Sequence, residues 1–250
     1  MRILVVEDQQ SSARFAVDEL KRYLACDVTV ALTPHRGIAE LRAGGYDVVV
    51  IDMLFRAETA NFEQRRRAKK VSLDDVELHL SGLAVLDEAR RASPPPRPVL
   101  WSSGEPNRHL HMLFAFEELA CAVFCAKDGS DDLAQAVAAA YRGEQYISPT
   151  LSFYVPNVHG KPLRETILSQ SSKLAVWRAI ALGTHQHTVL ARLTGVSSRT
   201  IRTGMGEMRR RLLELDPGLS DEESPSTEVL RFASQNWEFF LDQTVRRHFP

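Results

Sequence analysis

The chain has 250 residues, 44% hydrophobic and 25% charged, with a net charge of −1. That length suffices for two small domains with separate cores, and the near-zero charge excludes a whole-chain field drawing nucleic acid or membrane. Cys26, Cys121 and Cys125 are too few and too scattered for a disulfide framework, so a reducing, cytoplasmic setting is expected.

Charge is unevenly spread, about −4 over residues 1–160, about +7 over 161–215 and about −4 over 216–250. A basic stretch between acidic flanks predicts one local surface for an anionic partner. No apolar run approaches the roughly 18 residues of a membrane span. The start, MRILVVED, is charged by its eighth residue, unlike a signal peptide.

The first half alternates strand and helix. RILVV (2–6) is short and β-branched, a buried-type strand. Residues 11–24 place Phe15, Leu20 and Leu24 at helical spacing, with Ser11 or Ser12 as cap. DVTVAL (27–32) predicts a strand, and 33–45 a helix with Thr33 before Pro34 and glycines at its end. YDVVVID (46–52) is the third strand. The alternation then lapses through a charged run holding Arg65, Arg66, Arg67, Lys69 and Lys70. It resumes with a helix over 81–93, a strand at 98–104, a helix over 106–120, a strand at 122–127 and a helix over 131–143. Five βα units predict an α/β fold, a doubly wound five-stranded parallel sheet with functional groups beyond the strands' carboxyl ends.

From about residue 164 the strand signal disappears. Three helices are expected within 168–183, 187–195 and 197–215, then a polar break at 216–226 and one amphipathic helix from about Thr227 to His248. Pro149, Pro156 and Pro162 mark a linker. The expected domains are 1–148, with an insertion at about 55–80, a linker at 149–163, and an all-α domain at 164–250.

Three strand ends carry related chemistry: Glu7 and Asp8 after the first, Asp52 after the third, Lys127 after the fifth. In a parallel sheet these share one edge. Clustered carboxylates repel unless a cation joins them, and a hard, oxygen-preferring ion, Mg2+ above all, suits them. Ser102 and Ser103 add a hydroxyl to the rim. Acids, a hydroxyl and a lysine around one metal form a phosphoryl-accepting site.

ILVVED, VVVID, SSGE and CAKDG resemble the receiver domain of two-component response regulators, a flavodoxin-like fold, over about residues 2–148. The resemblance implies Asp52 as phosphoacceptor, and Mg2+ held by Asp8, Asp52 and the main-chain carbonyl of Leu54, with Glu7 acting largely through water. It further implies Ser103 rather than Ser102 as switch hydroxyl, Lys127 as the phosphate-pairing lysine and Phe124 as the switch aromatic. A sensor histidine kinase would be the donor. The sequence departs from the family after Asp52: no proline follows, and the Gly82–Leu83 pair arrives about twenty residues late. The intervening insertion reads either as a solvated excursion or as a lid over the pocket.

HTVLARLTGVSSRTIRTGMGEMRRRL (187–212) has helix-turn-helix spacing. Ala191 lets two helices approach, Gly195 turns, Val196 plugs the core and Ser197 caps the second helix. Ile201, Met205 and Met208 form its buried face. Arg202, Thr203 and Gly206 are candidate base contacts, and Ser197, Arg199, Arg209 and Arg210 candidate phosphate contacts. The segment resembles the LuxR-type DNA-binding domain over about 167–249, departing at Val189, where the family has an acidic residue. That implies double-stranded DNA as partner and a homodimer through the last helix, with Leu230, Trp237, Phe240 and Leu241 as candidates, Phe239 and Phe249 leaving further apolar surface. The combined expectation is a cytoplasmic transcriptional regulator, not an enzyme. The rival is a phosphorylation-independent regulator whose acidic pocket binds a small ligand or partner.

Overall fold

Short apolar runs with alternating side chains build a sheet whose two faces must both be covered. In the computed structural model, which describes residues 1–68, 79–128, 132–155, 160–216 and 224–250, these runs are β1 (Arg2–Val6), β2 (Asp27–Ala31), β3 (Val48–Asp52), β4 (Arg97–Ser102), β5 (Val123–Ala126) and β6 (Tyr146–Ile147). They form one parallel sheet in the order β2-β1-β3-β4-β5-β6. The sixth strand corrects the expected five: Tyr146 and Ile147 pair with Val123 and Phe124. Two residues give too short a run for alternation to reveal.

Period-2 alternation assigns the faces. Ile3, Val5, Val48, Val50, Val99, Trp101, Val123 and Cys125 pack against Ala16 and Leu20 of α1 (Gln10–Tyr23) and Leu133, Ala136, Val137 and Ala140 of α6 (Asp132–Arg142). Each such aliphatic side chain contributes about 1.5–3 kcal/mol by leaving water. α2 (Pro34–Ala43) and α4 (Gly82–Arg91) cover the other face, with α5 (His109–Glu117) beside α4. Thr33 caps α2 as expected, its Oγ1 accepting from the Arg36 amide at 3.1 Å. α1 starts one residue before Ser11, with Gln9 at the cap, and Phe15 is 48% exposed, so neither serine caps and Phe15 lies off the buried stripe.

The stretch after Asp52 begins as a helix, α3 (Arg56–Ala68), where the sequence reading has no regular element. Lys69 and Lys70 lie outside the described residues. The chain returns with the Gly82 amide donating to the Met53 carbonyl at 2.8 Å. A Cβ at Gly82 would stand 2.2 Å from the Asp52 carbonyl oxygen, so only glycine lets α4 start against the end of β3. The late glycine thus sits directly beside the end of β3, and the insertion leaves and re-enters at one place.

The chain divides into two units, residues 1–59 with 80–156, and residues 60–79 with 157–250. The boundary at 156 falls inside the expected linker, but most of the expected insertion groups with the second unit. That unit holds α7 (Ser171–Ala181), α8 (His187–Thr194), α9 (Ser198–Leu215), α10 (Pro225–Gln235), α11 (Trp237–Phe240) and α12 (Gln243–His248). The single last helix expected from the stripe is therefore three. Glu238, Phe239, Phe240, Leu241 and Asp242 are all buried in succession, so burial here is not confined to the one stripe. The breaks turn the chain so that each faces inward, and the Asp242 carboxylate caps α12, accepting from the Thr244 and Val245 amides at 2.7 and 3.1 Å. The Phe240 ring stacks on Trp177 at 5.2 Å. His79 joins this core: its amide donates to the Leu241 carbonyl, and its carbonyl accepts from the Gln243 amide, both at 2.9 Å. Among the described residues no helix is long and apolar enough to cross a membrane.

Candidate functional site

In the order β2-β1-β3, chain connections part in opposite directions from β1 and β3, opening a crevice at their carboxyl ends. Glu7 and Asp8 follow β1 there, and Asp52 ends β3. One oxygen from each of these three carboxylates lies within 4.8 Å of the others. Glu7 is fully buried and Asp52 is 1% exposed. Burial on this scale strongly disfavours charge unless partners compensate.

Lys127, one residue beyond β5, supplies the first partner. Its Nζ bridges Glu7 Oε2 at 2.6 Å and Asp52 Oδ1 at 2.8 Å, and lies 4.9 Å from the Trp101 ring centroid. Its amide donates to the Ser102 carbonyl at 2.9 Å, which holds the strand end in place. The second partner is Arg108, a residue the sequence reading did not select. It closes a 3-10 turn, Pro106–Arg108, and its side chain is only 8% exposed, with one guanidinium nitrogen 3.9 Å from Asp52 Oδ1.

Burial pushes the Asp52 carboxyl up to about 6, with Lys127 pulling down and Glu7 pushing up. Asp8 Oδ2 accepts from the Ala57 amide at 2.9 Å, while its Oδ1 is buried without a hydrogen-bond partner. Three carboxylates against two cations leave the pocket net negative, and an orphaned oxygen faces that surplus. The donor set is all oxygen, so the residues fit a small hard divalent cation such as Mg2+.

The remaining expectations fall around this core. Leu54, 4% exposed, follows the strand end. Ser102 is buried, its Oγ accepting from the Gly104 amide at 3.4 Å, whereas Ser103 is exposed and donates to Glu105 Oε1 at 3.3 Å. Ser103 is thus the hydroxyl presented at the rim. Phe124 is fully buried in β5, its ring centroid 6.3 Å from that of Phe116.

In the second unit, Gly195 ends α8 at φ +69°, a left-handed conformation that costs glycine least, and the Ser197 Oγ caps α9 by accepting from the Thr200 amide at 3.1 Å. Ile201, Met205 and Met208 are buried as expected, while Val196 is only half-buried. Arg199, Arg202, Thr203, Gly206 and Arg210 are exposed on the opposite face. The Thr203 hydroxyl donates to the Arg199 carbonyl at 2.8 Å, and Arg210 pairs with Glu214 at 2.7 Å. A Cβ at Gly206 would meet nothing within 4 Å, so packing does not require that glycine.

Two expectations fail here. Arg209 turns to Glu228 of α10, which is 1% exposed, and its own side chain is 16% exposed, so it ties two helices together instead of facing a phosphate. Phe240 and Leu241 are 0% and 2% exposed, Phe240 packing on Trp177 and Phe239, so neither presents surface for a dimer contact. Phe239 is likewise internal, whereas Phe249, Leu230 and Trp237 are half-buried.

No protein-family model matches the chain, and no curated protein matches it by sequence. Solved structures do. Two RcsB dimers bound to two parallel DNAs give a TM-score of 0.57 at 16% identity, covering 94% of this chain and 98% of that chain. The two-component response regulator RcsB–DNA complex gives 0.55 at 17% identity over 94% and 98%. RcsB response regulator from Salmonella typhimurium gives 0.55 at 16% identity over 94% and 99%. The fold shared across nearly the whole chain is that of these response regulators, an α/β unit followed by a helix-turn-helix unit.

Proposed function

We propose that this chain is a DNA-binding response regulator in which Asp52 accepts a phosphoryl group from a sensor histidine kinase. The observation that carries the reading is Lys127, bridging two buried carboxylates beside a third whose Oδ1 lacks a partner. An Asp52 oxygen would attack the phosphorus of a phosphohistidine. The phosphorus–nitrogen bond breaks, and its electron pair leaves with the imidazole. Lys127 pairs the incoming oxygens, and Ser103 at the rim donates to them once it leaves Glu105. Glu7, Asp8, Asp52 and the Leu54 main-chain carbonyl would hold Mg2+, which supplies positive charge where the phosphoryl oxygens gather. The exposed face of α9 would enter the major groove, with Arg202, Thr203 and Gly206 at base edges and Ser197, Arg199 and Arg210 at phosphates. A homodimer in the cytoplasm acting on a two-fold site suits such a helix.

Intact mass after incubation with Mg2+ and acetyl phosphate tests the acceptor. Wild type should gain one phosphoryl group, Asp52→Ala none, and Asp8→Ala less. Uptake by Asp52→Ala at the wild-type rate would reject Asp52. No uptake by wild type would favour the rival, a regulator that works without phosphorylation.

A further inference from the structure

Arg108 is an anomaly for a residue at the start of a helix. Arginine there ordinarily extends into water, yet this side chain is 8% exposed and aimed into the Asp52 pocket. Its hydrogen bonds go elsewhere: Nε and Nη2 donate to Glu105 Oε2 at 3.2 and 3.0 Å. The nitrogen nearest Asp52 stands at 3.9 Å, beyond hydrogen-bond reach, whereas Lys127 is already in contact with the same oxygen at 2.8 Å. Glu105 is the weaker anchor, since its side chain is 46% exposed and shares its charge with water and with the Ser103 hydroxyl.

We infer that Arg108 is a second phosphoryl-pairing residue, held in reserve by Glu105 until Asp52 is modified. This rests on the proposed phosphorylation of Asp52. A phosphoryl group puts close to two negative charges and three acceptor oxygens where one carboxylate stood. A planar guanidinium suits such oxygens in a two-pronged contact, and inside the low-dielectric pocket the dianion outcompetes a half-solvated carboxylate. Arg108 then leaves Glu105. Ser103, which donates to the other oxygen of Glu105, is drawn to the same phosphoryl group. Both restraints on the segment from Ser103 to Arg108 therefore change together, and that segment leads directly into α5. Arg108 and Glu105 form a charge exchange that converts modification of Asp52 into rearrangement of the β4–α5 connection.

The test uses the full chain, with beryllofluoride as the phosphoryl mimic and Mg2+ titrated separately, both followed by tryptophan fluorescence, Trp101 lying beside Lys127. Arg108→Ala should weaken beryllofluoride binding about ten- to a hundredfold, the usual range for a lost charged hydrogen bond. The same variant should bind Mg2+ as tightly as wild type or more tightly, because a nearby cation has gone. A folding defect would weaken both. Glu105→Gln should tighten beryllofluoride by releasing Arg108, and Arg108→Lys should recover part of the loss. Equal beryllofluoride affinity for Arg108→Ala and wild type overturns the inference and leaves phosphorylation standing. Failure of wild type to bind beryllofluoride overturns phosphorylation, and this inference with it.

Discussion

Asp52 is under opposing pulls. Burial favours its neutral form, Lys127 favours its charged form, and burial wins, leaving the group at about 6. Its folded value lies above the ordinary carboxylate value of 3.8, so the native state binds more protons than the unfolded chain between about pH 4 and 6. Stability from this group therefore falls as pH rises through that window, and at pH 7.5 the charged Asp52 costs about 2–3 kcal/mol. Asp52→Asn should stabilise the metal-free chain at pH 7.5, with the advantage shrinking toward pH 5. Urea melts with a chelator at both pH values measure this, and an equal advantage at both would refute the assignment. Glu7, Asp8, Asp52 and Lys127 were legible because each follows an apolar run that can only be a buried strand. Arg108 was not. Pro106-Asn107-Arg108 reads as an ordinary helix start, and only the tertiary approach to Asp52 makes its arginine internal.

At the scale of one element, α9 separates arginines that look alike in sequence. Arg202 is exposed, while Arg209, which follows buried Met208, is half-buried. Helix phase does not separate them, since residues seven apart share nearly one face; only the tertiary approach of the buried Glu228 of α10 does. The consequence is a divided pair of expectations. Arg202→Ala should lower discrimination between specific and random duplex by about 1–3 kcal/mol while leaving the melting transition in place. Arg209→Ala should do the reverse: it strands the buried Glu228 carboxylate, at a cost of about 3–5 kcal/mol, and leaves the salt slope of DNA binding unchanged wherever the chain is folded. Thermal melts and fluorescence anisotropy across salt concentrations separate the two. A flattened salt slope with intact stability for Arg209→Ala would restore the phosphate contact. The broken C-terminal helices escaped the sequence for a related reason: the stripe from Leu230 to Val245 was real, but Glu238 and Phe239 fell outside it and are buried as well.

For the whole molecule, the second unit is not continuous in sequence: residues 60–79 count with 157–250. No local pattern encodes this, because the partners of His79 are Leu241 and Gln243, far along the chain. His79 is 1% exposed, with its ring edge-on to Trp237 at 5.7 Å, and burial lowers its imidazole to about 4. The sign is opposite to that of Asp52. Below its ordinary value of 6.5 the unfolded chain takes up a proton that folded His79 refuses, so stability is lost as pH falls from 6.5 toward 4. The full loss is about 3 kcal/mol by pH 4. Acidification should thus weaken the second unit while easing the burden of Asp52 in the first. His79→Gln, which cannot take up that proton, should be less acid-sensitive than wild type, and removing residues 60–79 should lower the second unit's stability even at neutral pH. Circular dichroism melts of the full chain at pH 7.5, 6 and 5 read the first effect. If His79→Gln and wild type lose stability in parallel over that range, His79 is not the acid-sensitive group. If the deletion melts as wild type does at pH 7.5, residues 60–79 are not part of that unit's fold, and the segment after Asp52 is the solvated excursion that its charges first suggest.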